Sequence, residues 1–162
     1  MTLPRLSNSL IKSNTGLLPN AQQLLNLPEK VLQFGTGVLL RGLPDYFINK
    51  ANQQGVFNGR VVVVKSTDKG GVDAFADQNN VFTQAIRGVA DGQLVEENVL
   101  NTAISRTLSA KSQWEEILAT AANPEMQIVI SNTTEVGIQL VEDDLTAQPP
   151  VSFPGKLTAY LY

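Results

Sequence analysis

Val31-Leu32-Gln33-Phe34-Gly35-Thr36-Gly37-Val38-Leu39-Leu40-Arg41-Gly42 decides how the rest of the chain is read. A short apolar run stops at two glycines one residue apart, and an amphipathic segment from Leu43 to Gln54 follows. That order is strand, tight turn, helix. It is the opening of a dinucleotide-binding βαβ unit, where glycines permit the sharp turn and let backbone approach a pyrophosphate at the helix N-terminus. The fingerprint G-x-G-x-x-G is incomplete here: Leu40 stands where the third glycine belongs, and Gly42 comes two places later. Spacing alone leaves two readings open, nucleotide binding and a turn whose glycines serve geometry only.

Composition narrows the chemistry. At 162 residues, 43% of them hydrophobic and 17% charged, the sequence suits a single soluble domain or a piece of a larger protein with a real core. The net charge of −3 and the scattered basic residues give no positive stripe of the kind nucleic acid requires. No apolar run reaches membrane-spanning length and no signal-peptide core opens the chain, so a cytoplasmic protein is expected. Cysteine and histidine are both absent, which removes disulfides, thiol nucleophiles, Ser–His catalysis and nitrogen- or sulfur-ligated zinc. Carboxylates, Lys, Tyr, hydroxyls or a bound cofactor are left to do any chemistry.

Residues 1–29 carry Pro4, Pro19 and Pro28 and read as an arm with one helical turn around Ala21 to Leu25, its Leu24-Leu25 pair packing on the sheet edge. Val31 to Phe34 is the first buried strand. Pro44 fits only a first helical turn, so the following helix is expected to start near Gly42 or Leu43. Gly35 to Arg41 is then an extended loop, and Leu43, Phe47, Ile48 and Ala51 lie near one buried face, with Gly55 as the stop. Four consecutive valines, Val61 to Val64, are the clearest buried strand. It runs into Lys65-Ser66-Thr67-Asp68-Lys69, where an acidic residue would hold the adenosine ribose and favour NAD and basic residues could hold the NADP phosphate; Asp68 suits NAD, while Lys65 and Lys69 suit either the NADP phosphate or a solvated turn.

Asp91-Gly92 between two alternating runs, from Val81 and from Gln93, predicts an antiparallel hairpin inserted where a simple alternating fold carries a helix. An extended segment from Ala103 to Leu108 follows. Ser112 and Glu115 have capping-box spacing before a helix running to about Ala122, with Trp114, Ile117, Leu118 and Ala121 as its buried stripe. Ile128-Val129-Ile130 reads as a buried strand opening into the polar cluster Ser131-Asn132-Thr133-Thr134-Glu135. Ligands of open α/β sheets bind beyond the carboxyl ends of the strands, so this cluster is expected beside the Gly35 turn. Glu142-Asp143-Asp144 reads as a solvated acidic loop and Pro149-Pro150 as a linker. A helix then begins near Ser152 and the chain ends inside it, which suggests a truncated protein.

Three stretches together resemble one family, the mannitol dehydrogenase family of long-chain polyol dehydrogenases, and within it the hexuronate branch. Val31 to Gly42 is similar to its G-x-G-x-x-x-R cofactor loop; Asn123 to Ile138 and Val151 to Thr158 are similar to later segments of that branch. The resemblance implies NAD-dependent hydride transfer between tagaturonate and altronate. It implies a Rossmann-type, mostly parallel α/β sheet followed by a helical substrate domain that is missing here. Carried over position by position, Phe34, Gly35, Thr36, Gly37, Val38, Leu39, Leu40, Arg41 and Gly42 would cradle the pyrophosphate, Asn132 and Thr133 would lie near the nicotinamide ribose, and Glu135 matches an auxiliary glutamate linked to proton movement. The family's catalytic lysine, asparagine and histidine belong to the later domain, and Lys156 does not match that lysine. The expected organisation is an arm over 1–29, a dinucleotide-binding domain over 30–148 and the start of a connection over 149–162, with no metal, and no catalysis by this part alone. A non-catalytic nucleotide-binding module and a fructuronate or mannitol dehydrogenase remain alternatives. A methyltransferase fits less well, since Gln33-Phe34 stand where an acidic residue would precede the first glycine.

Overall fold

Alternation along two strands divides the core into two faces. Leu32, Phe34, Val62, Val64 and Leu108 pack with Ala110, Trp114 and Ile117 on one side; Val31, Val61, Val63 and Ile104 pack with Ala103 on the other. Successive strand side chains point to opposite faces, so a sheet covered on both sides needs apolar residues at every position, and the four valines supply them. The structure, a computed structural model, describes residues 4–65, 73–139 and 141–161, as backbone only at Asp73, Ala74, Tyr160 and Leu161.

In chain order the elements are α1 (Asn8–Ser13), α2 (Ala21–Leu25), β1 (Glu29–Phe34), α3 (Val38–Gly42), α4 (Pro44–Gln53), β2 (Arg60–Lys65), α5 (Asp73–Ala76), β3 (Phe82–Ala90), β4 (Gln93–Asn101), β5 (Ile104–Ser109), α6 (Trp114–Ala121), β6 (Ile128–Ser131) and α7 (Phe153–Leu161). Short 3-10 turns cover Glu135–Ile138 and Glu142–Leu145. Four strands form a parallel sheet in the order β5-β2-β1-β6, and β3 and β4 form a separate two-stranded antiparallel sheet. The fold is Rossmann-type α/β with the hairpin inserted between β2 and β5. Asp91 (φ 52°) and Gly92 (φ 75°) make its turn, the left-handed pair that matches strand twist.

The order of strands locates the crevice. The chain builds outward from β1 to β2 and β5, then returns through α6 to lay β6 on the other side of β1. The sheet therefore has a topological switch point between β1 and β6, where open α/β sheets bind ligands.

Several elements depart from the sequence reading, each for a physical reason. The segment after β1 is not an extended loop: Val38–Gly42 forms a single helical turn, and the backbone breaks at Leu43 (φ −117°, ψ −80°) before Pro44 opens α4. Proline disfavours helical geometry in the residue before it, so one helix becomes two. The face of α4 turned inward is Asp45, Asn49 and Asn52, whereas Phe47 is 58% and Leu43 52% exposed. Irregular backbone beneath α4 needs polar partners. Asn49 Nδ2 donates to the Leu100 carbonyl (3.2 Å), its Oδ1 accepts from the Thr102 N–H (3.0 Å), and Asn52 exchanges two hydrogen bonds with Gly59 (2.7 and 3.0 Å).

β6 is an edge strand and not a buried one: Ile128 is 40% and Val129 38% exposed. The capping box at Ser112 does not form either. Gln113 is the N-cap residue, and its side chain accepts from the Ser109 N–H (3.0 Å) while donating to Glu116 (2.9 Å). Trp114 and Ile117 are buried as expected. The N-terminal arm contains α1 as well as α2, and Leu24 and Leu25 pack with Ile11, Leu18 and Val81 at the base of the hairpin instead of on the parallel sheet's edge. Arg60 fastens that arm: buried, it donates to the carbonyls of Leu25, Thr102 and Ile104 from each of its three nitrogens.

The acidic segment has a structural task. Asp144 accepts from the Ser152 N–H (2.7 Å) and the Ser152 hydroxyl, which in turn accepts from the Gly155 N–H (3.1 Å), so the pair caps α7. These bonds hold the Asp144 carboxyl below its usual range. α7 begins under the glycine turn, with the Phe153 ring edge-on to Phe34 at 5.3 Å.

Candidate functional site

The two glycines of the turn do different work. Gly35 has φ +120°, a conformation L side chains rarely adopt, and a Cβ there would stand 3.0 Å from Leu40 Cδ1. Its N–H closes the β1–β2 ladder on the Val64 carbonyl (2.9 Å). Gly35 is required by the fold. Gly37, by contrast, has φ −65° and ψ 157°, which any residue can adopt, and a Cβ there would meet nothing within 4 Å. Glycine at 37 leaves a patch of bare backbone facing open space.

Arg41 braces the turn from the far side. It donates to the Thr36 carbonyl, and its guanidinium carbon lies 4.9 Å from the centre of the Phe75 ring. Val38 and Leu39 are 76% and 57% exposed at the mouth, while Leu40 is buried as the anchor of α3. Beyond Arg41 a cleft of about 220 Å³ lies between α3 and β3, and Gln84 crosses it to donate to the Gly42 carbonyl (3.1 Å).

Strand register brings the second polar cluster to the same place. Phe34 is level with Ser131 across the β1–β6 pair, so the loops leaving the two strands start side by side at the switch point. The Ser131 and Thr133 hydroxyls hydrogen-bond to each other at 2.5 Å, and Asn132 is exposed. Glu135 is exposed at the start of the 3-10 turn. Gly137 lies close under Thr133, where an added Cβ would fall 2.6 Å from Thr133 Cγ2 and the threonine side chain would have to shift. Asp68 lies outside the described residues. Among the described residues no cluster of acidic side chains could hold a metal ion, and no helix is long and apolar enough to cross a membrane.

Behind the turn sits a pair that pattern reading passed over. Gln33 and Asp45 are both fully buried, and Gln33 Nε2 donates to the Gly35 carbonyl and to Asp45 Oδ2, each at 3.3 Å. Burial pushes the Asp45 carboxyl up to about 7, against the opposing pull of the Gln33 amide and the Arg41 charge. A polar residue inside the apolar run Val31 to Phe34 was the available signal. Its partner was hidden because a polar stripe at 45, 49 and 52 reads as a solvated helix face.

A cradle at the switch point, with one glycine needed for the turn and another with no internal reason to be glycine, fits a ligand that approaches backbone closely. The chain is 41% identical over 162 residues to altronate oxidoreductase of Halalkalibacterium halodurans, covering 99% of this chain and 31% of that protein. This chain is related to the altronate oxidoreductases. The enzyme of Bacillus subtilis strain 168 is 40% identical over 136 residues, covering 83% of this chain and 28% of its own length. The chain thus spans about a third of the length of the curated relatives it matches. No protein-family model matches it. Among solved structures, Pseudomonas fluorescens mannitol 2-dehydrogenase in ternary complex with NAD and D-mannitol superposes with a TM-score of 0.80 at 21% identity. That match covers 98% of this chain and 35% of that one. D-sorbitol dehydrogenase in substrate-free form matches with a TM-score of 0.69 at 18% identity, covering 85% of this chain and 31% of that one. At such identities the likeness is one of fold, and it is the fold expected from the opening stretch.

Proposed function

We propose that the chain is the dinucleotide-binding part of an NAD-dependent oxidoreductase that interconverts tagaturonate and altronate. The observation that carries this is the bare backbone of Gly37 at the switch point, in a chain related to altronate oxidoreductases. The loop from Phe34 through Gly35, Thr36, Gly37, Val38, Leu39, Leu40 and Arg41 to Gly42 would hold the pyrophosphate, with Gly37 giving the close approach. The helix receiving it is only five residues long, so its dipole contributes little and backbone proximity must do most of the binding. Asp68 would hold the adenosine ribose and favour NAD over NADP. Asn132 and Thr133 would lie toward the nicotinamide ribose, since their loop starts beside the turn. When bound, the nicotinamide takes or gives the hydride. The chain's own residues would orient it, and Glu135, exposed on the same loop, would pass a proton to or from solvent. The organisation that fits is an arm over 1–29, the binding domain over 30–148, and 149–162 leading toward a substrate domain that supplies the principal acid–base group for a hexuronate substrate.

Titration with NADH and NADPH tests this, read by cofactor and Trp114 fluorescence. NADH is expected to bind more tightly, and Gly37→Val to abolish binding while leaving the unfolding transition unchanged. Absence of binding to folded protein, both here and in the protein carrying its substrate domain, would overturn the reading. Binding without turnover of tagaturonate, fructuronate or mannitol by that longer protein would leave a nucleotide-binding module.

A further inference from the structure

Gln33 and Asp45 are buried side by side beneath the turn, and their atoms do not balance if Asp45 is charged. The two hydrogens of Gln33 Nε2 are both used, one on the Gly35 carbonyl and one on Asp45 Oδ2. The two remaining polar atoms, Gln33 Oε1 and Asp45 Oδ1, are buried and have no partner. In an ionised pair both are acceptors, and two acceptors cannot satisfy each other. A full charge would then sit beside two buried oxygens without partners, an arrangement native interiors rarely keep. Asp45 lies in the first turn of α4, but the partial charge of a helix end offsets little of that cost.

One proton resolves both orphans. A carboxylic acid has an O–H donor as well as an acceptor oxygen, the complement of a primary amide's N–H and C=O. We propose that Asp45 is a neutral carboxylic acid joined to Gln33 in a cyclic pair of hydrogen bonds, Nε2–H to Oδ2 and Oδ1–H to Oε1, and that this pair is the positioning device of the Gly35 turn. The ring fixes the plane of the amide. Its second N–H is thereby aimed at the Gly35 carbonyl, the group that follows directly from the positive φ of the turn. The surroundings favour the neutral form: burial disfavours the carboxylate, and the charge acting on Asp45 is Arg41, whose own guanidinium is engaged by Thr36 and Phe75. From β4, the neutral Asn101 donates to the Asp45 backbone carbonyl at 3.1 Å and leaves the carboxyl group alone. Asp45 and Gln33 touch no ligand on this account; they act through the turn.

The consequence for cofactor rests on the proposed function, whereas the protonation state does not, and the experiment separates them. Titration of Asp45 Cγ by carbon-13 NMR in the wild-type chain, assigned by its disappearance in Asp45→Asn, is expected to show a midpoint far above the ordinary carboxyl range. An ordinary midpoint would overturn the proposal. In parallel, NADH affinity is measured near pH 6 and pH 8. Wild type is expected to weaken at the higher pH. Asp45→Asn, whose Nδ2–H replaces Oδ1–H in the same ring, should match wild type at low pH and lose the pH dependence. Asp45→Leu and Gln33→Leu should each bind about tenfold or more weakly, as expected for a buried partner removed. Asp45→Asn as weak as Asp45→Leu would refute the ring. If wild type binds no NADH at either pH, the functional reading fails, and the NMR midpoint still decides the acid–amide pair.

Discussion

Asp45 makes a stability prediction with a definite sign. Its folded pKa is raised to about 7 from an ordinary carboxyl value, so between the two the native state holds a proton the unfolded chain has released. Stability contributed by this group is therefore full at acid pH, declines as pH rises toward 7, and is flat above. The slope approaches about 1.4 kcal/mol per pH unit in that window. Glu29, whose carboxyl is held below its usual range despite burial by Arg106, works in the opposite sense at lower pH, which is why the comparison must be between wild type and Asp45→Asn. Urea unfolding of both from about pH 4 to 8 reads the difference. At the same scale, Gly35 and Gly37 are expected to separate cleanly. Gly35→Val, forced into φ +120° against Leu40, should cost about 1–3 kcal/mol of stability. Gly37→Val should cost almost nothing and instead remove nucleotide binding. Sequence shows two equal glycines here; only backbone angles and the space above each tell them apart.

At the scale of elements, α6 and α7 cover one face of the sheet and supply the next predictions. Ile117 is wholly buried among Leu32, Val62 and Trp114, so Ile117→Ala should destabilise by about 2–5 kcal/mol in denaturant unfolding. Gly155 fits because Asp144 reaches over it: a Cβ would fall 2.5 Å from Asp144 Cγ. Gly155→Ala should push Asp144 off its cap on Ser152 and lower stability by about 1–3 kcal/mol, with a change in near-ultraviolet circular dichroism as Phe153 shifts against Phe34. The strands and the hairpin were legible because their signals are local: β-branched runs and Asp-Gly specify backbone without help from distant parts. The interior face of α4 was not, because Asn49 and Asn52 are buried by the needs of backbone at Leu100, Thr102 and Gly59, segments up to 53 residues away in sequence.

For the molecule as a whole, Arg60 is the tie between the arm and the sheet. Arg60→Met would leave the carbonyls of Leu25, Thr102 and Ile104 without their donor and should cost about 3 kcal/mol or more. Amide hydrogen exchange in α1 and α2 should then rise ahead of exchange in β1 and β2. Periodicity and composition by themselves determined the α/β class, the strand-turn-helix opening, the inserted hairpin and the exclusion of thiol and imidazole chemistry from this chain's own residues, since each depends on which residue types are present and on neighbours a few positions apart. The sequence predicts the Ser131 cluster near the Gly35 turn, but tertiary structure alone decided the strand order that puts β6 at the edge beside β1 and the register that sets Ser131 level with Phe34. It alone decided that Gln33 and Asp45 meet under the turn. Such pairings depend on where the chain comes back in space, and the free energy that places them is summed over the whole core.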